Sequence, residues 1–182
     1  MKPPTDFPTF RYHPDPIATG AVKESEERCT VCGEHRGYVY EGLIYSADPA
    51  SNDARVCPWC IADGSVTEKY GGGLNGGIEH SADPVSRAVR DEVEKRTPGY
   101  ESWQDDEWLT HCNDACEFHG DATAEEIRTI SEEVLQEWID RYNMSRESWF
   151  EMTDGYKPPG NPAFYRFQCR HCAKTMIRFD MT

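Results

Sequence analysis

The sequence predicts an α+β fold: two small modules with short β-hairpins, accompanied by a few helices. Three observations predict it. Cysteines come in four close pairs, two in each half of the chain. Aromatic and β-branched runs such as "RGYVYEGLIYS" and "PAFYRFQ" have the composition of strands. Capping residues followed by apolar stripes mark helices between them.

The elements follow in order. Residues 1–20 hold five prolines and end in "YHPDPIATG". X-Pro steps favour extended backbone, so this stretch reads as a strap across the first module. His13 and Asp15 resemble site residues, but polar residues beside proline more often satisfy a turn. The run 36–46 predicts one or two strands. "GGGLNGG" (71–77) lacks the Gly-Lys-Ser/Thr ending of a phosphate loop and reads as a linker or flap. Asp83 and Pro84 open a helix with Val85, Val89 and Val93 on one face, and "TPGY" closes it. Thr123 and Glu126 form a capping box for a helix over 124–142. Ile127, Ile130, Val134 and Trp138 line its apolar face. The closing stretch predicts a hairpin with Cys169 and Cys172 at its turn.

Composition limits the core. Of 182 residues, 37% are hydrophobic and 29% charged, with 12 prolines and 14 glycines. A thin core of this kind is commonly reinforced by a metal or a disulfide. No apolar window reaches the roughly 18 residues of a membrane helix, and "MKPPTDFPTF" is unlike a signal peptide. A cytoplasmic setting is therefore expected, where thiols stay reduced and serve metals or redox chemistry. The formal net charge of −14 argues against nucleic acid as a partner, and the lack of a long apolar window argues against a membrane.

The cysteine spacing is the most specific signal. Cys29, Cys32, Cys57 and Cys60 form C-x2-C-x24-C-x2-C. Zn²⁺ takes four tetrahedral ligands, and a Cys-x-x-Cys turn aims two sulfurs at one point. Gly33 follows the first pair, where a tight turn calls for positive φ. Cys112, Cys116, Cys169 and Cys172 make a second, less regular set, with the first two spaced for one face of a helical turn. His111, His119 and His171 lie close enough in sequence for one of them to replace a thiolate at the second site, although each reads more readily as a neighbour of the site or an exposed residue. Two zinc ions thus use all eight cysteines. The modules become zinc-ribbon-like: residues 1–80 with the strap and first site, residues 81–182 with helices, hairpin and second site. Closed four-ligand sites leave no open position, so both ions read as structural.

The alternative is thiol–disulfide exchange at Cys57-Pro58-Trp59-Cys60. It needs a helix starting at the first cysteine to lower its pKa. Gly64 would cut that helix short, and the other cysteines would go unexplained. No catalytic or organic-cofactor residue is assigned: Asp63, Asp105, Asp106, Glu107 and His119 show no catalytic spacing. The chain reads as non-enzymatic. Trp103 and Trp108, within "YESWQDDEWL", are core by spacing or hot spots of a contact surface.

"YHPDPIATG" (12–20), "CPWCIADGS" (57–65) and "TPGYESWQDDEWLTHCNDACEFHG" (97–120) together resemble the CbrC family of bacterial proteins, in the same order along nearly the whole chain. That resemblance implies a part in tolerance of, or immunity to, a nuclease colicin or related toxin. It implies no mechanism and carries over no catalytic residue. An acidic binder suits a basic nuclease domain, so such a domain, or another protein, is the expected partner.

Overall fold

A computed structural model describes residues 4–79 and 84–182. The fold is α+β with small antiparallel sheets. Strand β1 (Val22–Glu24) pairs with β2 (Tyr38–Tyr40), Val22 opposite Tyr40. Tyr40 also bridges to Val56, which delivers the chain to Cys57. Two short helices follow, α1 (Pro58–Ala62) and α2 (Ser65–Tyr70). Gly64 separates them at φ +88°, a conformation that favours glycine.

The 71–77 stretch is a packed segment, unlike the linker or flap its composition suggests. Leu74 is fully buried, and its amide donates to Glu94 O at 2.7 Å. Asn75 Nδ2 donates to Val93 O at 2.7 Å. A Cβ at Gly72 would lie 1.8 Å from Tyr45 O, so close backbone approach requires that glycine.

Helix α3 (Arg87–Arg96) starts later than expected. Ser86 caps it by accepting from Val89 N, while Asp83 lies outside the described residues. Val93 is fully buried, and Val85 and Val89 pack against the same core, so the apolar stripe holds.

Strands β3 (Thr110–His111) and β4 (Asp114–Ala115) make a small hairpin. Strand β5 (Glu117–Asp121) then joins β6 (Ala163–Gln168) and β7 (Thr175–Asp180) in the order β5-β6-β7. The closing hairpin agrees with expectation.

The expected 124–142 helix is two helices, α4 (Ala124–Arg128) and α5 (Glu132–Tyr142). The Thr123–Glu126 capping box is present. Three residues intervene, and Ser131 starts a second helix by accepting from Val134 N at 3.3 Å. A Ser followed by two glutamates is itself a helix start, and it lay inside the expected span. Ile127, Ile130, Val134 and Trp138 still share one core with β6 and β7, because the break keeps the apolar faces inward. Helix α6 (Arg146–Thr153) adds Trp149 to that core.

The proline-rich stretch at residues 4–20 makes contacts on both sides of residue 80. Phe7 packs edge-on against Tyr38 and Trp59. Farther on, Tyr12 O accepts from Phe118 N, and Tyr12 Oη donates to Asp114 at 2.7 Å. Asp15 closes a turn by accepting from Ala18 N. No helix among the described residues is long and apolar enough to cross a membrane.

Candidate metal centres

The first centre forms where two turns meet. In the 29–34 turn, Gly33 N donates to Cys29 O at 2.8 Å, with Gly33 at φ +76° as its position predicts. In the other turn Cys57 precedes α1 and Cys60 sits in its first turn. Thr30 N donates to Arg55 O and Tyr40 N to Val56 O, which fixes the two turns to each other. The sulfurs of Cys29, Cys32, Cys57 and Cys60 all lie within 4.8 Å of one another. Cys29–Cys60 and Cys32–Cys57 measure 3.8 and 4.0 Å. A tetrahedron with Zn–S bonds of about 2.3 Å has edges of about 3.8 Å. The quartet fits a tetrahedral cation.

The electrostatics agree with that fit. Hydrogen bonding from Cys57 and from the amides of Cys32, Cys57 and Val31 lowers the Cys29 thiol to about 4. Cys57 is pushed up by its bond to Cys29 and by burial, and Cys60 rises to about 12 through burial and the neighbouring Cys29 charge. One thiolate forms readily; further ones repel it. A bound dication would let all four ionise.

The second centre has a different composition from the expected quartet. His111, Cys112, Cys169 and Cys172 place one ligand atom each within 4.8 Å of the rest. His111 Nδ1 lies 3.2 Å from Cys112 Sγ and 3.5 Å from Cys172 Sγ, and Cys112–Cys172 is 4.0 Å. Bonds of about 2.0 Å to nitrogen and 2.3 Å to sulfur give N···S edges of about 3.5 Å. Residues 112–113 form the β3–β4 turn with φ +55° and +58°, the pattern of a tight hairpin. Cys169 and Cys172 occupy the β6–β7 turn, where Ala173 N donates to Cys169 O at 2.9 Å. The His171 amide approaches Cys169 Sγ at 3.5 Å. The amides of Cys172 and His171 overcome burial and hold Cys169 down to about 6.

Cys116 stands apart from the expected set. The helical turn predicted for 112–116 is a β-hairpin, so four residues separate a turn tip from a core-facing position. Cys116 is fully buried with Sγ 3.7 Å from Met176 Sδ, and burial raises its thiol to about 12. His111 takes the vacated corner. Its signal was the Asn113 beside Cys112: Asn tolerates the left-handed turn that aligns His111 with Cys112.

The other residues singled out above have structural settings. His171 Nε2 sits 2.9 Å from Asp114, which also accepts from Arg170 and Tyr12. These bonds lower the Asp114 carboxyl despite burial, and they brace the β6–β7 turn from behind. His13 is fully buried between Pro98 O and Thr19 Oγ1, at 2.8 and 2.7 Å. Asp106 is buried and accepts from Tyr45 Oη and Gly76 N. Glu107 faces Arg178, and Asp63 accepts from Ser65. Trp108 is core, whereas Trp103 is 56% exposed. The requirement for a helix at the first redox cysteine is met by α1, but that helix has five residues and the Cys57 thiol is raised, not lowered.

The fold and these two quartets define a small α+β protein organised around paired cysteine-rich clusters able to hold two metal ions. The chain belongs to the family described as "Uncharacterised protein family (UPF0167)", whose model matches residues 7–181. It is 42% identical over 182 residues to a UPF0167 protein of Pseudomonas aeruginosa, covering 100% of both chains. It is 35% identical over 179 residues to UPF0167 proteins of Mycobacterium bovis and Mycobacterium tuberculosis, covering 97% of this chain and 95% of each relative. No solved structure matches it.

Proposed function

We propose that this chain is a cytoplasmic, non-enzymatic binding protein shaped by two structural zinc ions, and that it contributes to tolerance of a nuclease colicin or related toxin by binding a basic protein. The observation that carries the reading is the closed form of both quartets, each offering a full set of four ligands. Tetrahedral sets of four thiolates, or of three thiolates and an imidazole, favour Zn²⁺. The net charge of −14 and the stretches resembling the CbrC family support the toxin-related role.

Two experiments test it in sequence. Elemental analysis of the purified chain is expected to give about two zinc per chain. Titration with a nuclease toxin domain at low salt is then expected to show binding that weakens as salt rises. Absence of binding with both proteins folded rules out direct neutralisation. The thiol–disulfide reading of Cys57 and Cys60 predicts rapid alkylation without a chelator. Protected thiols that react only after chelation speak against it.

A further inference from the structure

A cleft of about 670 Å³ opens away from both metal centres, between the strap, the 100–103 loop, β5 and the start of β6. Its volume lies in the range of small-ligand sites. Packed aromatic rings lie beneath its floor: Tyr100, Phe118 and Tyr165 are each 5% exposed or less, and the exposed ring among the lining residues is Trp103. Tyr100 stacks on Phe118 with centroids 4.1 Å apart, and Tyr165 lies 4.9 Å from Tyr100. At the mouth the exposed Trp103 reaches Gly160 O through its indole N–H, at 3.4 Å.

Two carboxylates line the same cleft, Glu101 and Asp121, and no Lys or Arg does. Among the described residues neither carboxylate has an ion pair or a hydrogen-bond donor. Burial, then the negative charge of Glu101, raises the Asp121 carboxyl above its ordinary value. A partly buried, unpaired carboxylate costs stability and offers the fold nothing in return. His119 also lines the cleft, with its Nε2 3.3 Å from Glu117 Oε2.

We propose that this cleft binds an organic cation, an alkylammonium or guanidinium head group, against the exposed Trp103 ring at its mouth, with Asp121 and Glu101 as counter-ions. Ring faces attract such cations, and the attraction grows when water is excluded. The inference does not depend on the metal ions or on a toxin partner. The head group belongs either to a small amine or to a Lys or Arg side chain.

The test titrates the metal-loaded chain with agmatine, with uncharged butylurea and with a blocked Gly-Arg-Gly peptide. Trp103 emission and its indole N–H resonance are the readouts, with Trp103→Phe assigning the signal. Saturable binding of agmatine or the peptide, without butylurea binding, is the expected result. The tighter of the two identifies the source of the head group. The double variant Glu101→Gln/Asp121→Asn should bind roughly tenfold more weakly or worse, while melting at the same or a higher temperature. The proposal is overturned by equal binding of butylurea, by unchanged binding in the folded double variant, or by no saturation up to about 50 mM of either cation.

Discussion

Gly33 and Ala173 hold the same position in two separate turns. Each follows a Cys-x-x-Cys pair directly, each has positive φ (+76° and +58°), and each donates its amide to the carbonyl of the first cysteine. Cys29 N and Cys169 N complete the pairing in reverse, donating to Glu34 O and Lys174 O at 2.9 and 2.8 Å. One backbone solution therefore serves both centres, with glycine in one and a strained alanine in the other.

Substitution at these two positions should act in opposite directions. No atom lies within 4 Å of a Cβ built on Gly33, so Gly33→Ala meets only backbone strain. It should cost about 1–2 kcal/mol. Ala173→Gly removes strain but loosens the unfolded chain, and should range from neutral to about 1 kcal/mol stabilising. Denaturant melts of the metal-loaded variants measure both.

The second centre makes a sharp distinction between His111 and Cys116. His111→Ala should reduce bound metal from about two ions per chain to about one. Cys116→Ala should leave the metal content unchanged and cost about 1–2 kcal/mol through lost packing against Met176. Elemental analysis beside a melt separates the two effects. Loss of one ion in Cys116→Ala alone would restore the all-cysteine set.

Metal release should occur in two phases. The first quartet exposes only Cys32 and buries its other three cysteines, whereas the second exposes both Cys112 and Cys172. A chelator or a thiol reagent should therefore reach the second quartet first. In His111→Ala the early phase should disappear and the late one persist. The absorbance of a metallochromic indicator follows both phases.

Two buried groups should give opposing pH slopes. Burial lowers His13 from 6.5 to about 4, partly offset by Pro98 O and the Asp15 charge, with His119 adding to the lowering. Between those values the unfolded chain binds a proton that the native one refuses, so stability rises with pH. Burial raises Asp106 from 3.8 to about 6 against the pull of Tyr45 and Gly76. There the native state holds the extra proton, so stability falls as pH rises through the same window. Each effect is on the order of 3 kcal/mol. Relative to the parent, His13→Gln should tilt the pH 4–6 stability profile downward with rising pH, and Asp106→Asn should tilt it upward. Acid release of metal is common to all three proteins and cancels in the comparison.

The sequence made the metal-centre plan legible because spacing within a turn is a local property. Cys-x-x-Cys followed by Gly33 specifies its own backbone, and the 169–172 hairpin is framed by alternating strands. The 112–116 pair was misread because i and i+4 describe a helix only if a helix is there. The turn at Cys112–Asn113 is decided by pairing with Ala115 and the sheet beyond. The glycine-rich 71–77 segment failed for a similar reason: its order comes from Leu74 and Asn75 docking on α3, a contact between distant residues. Ser131 was a legible start signal, outweighed by an apolar stripe that continues across the break. The cleft beside Trp103 joins residues from four separate stretches, and no short window of sequence contains it.

Tyr12 and His13 find their partners Asp114 and Pro98 at positions 102 and 85 residues farther along the chain. The strap thereby sews together segments far apart in the chain, and such distant pairings belong to slow folders.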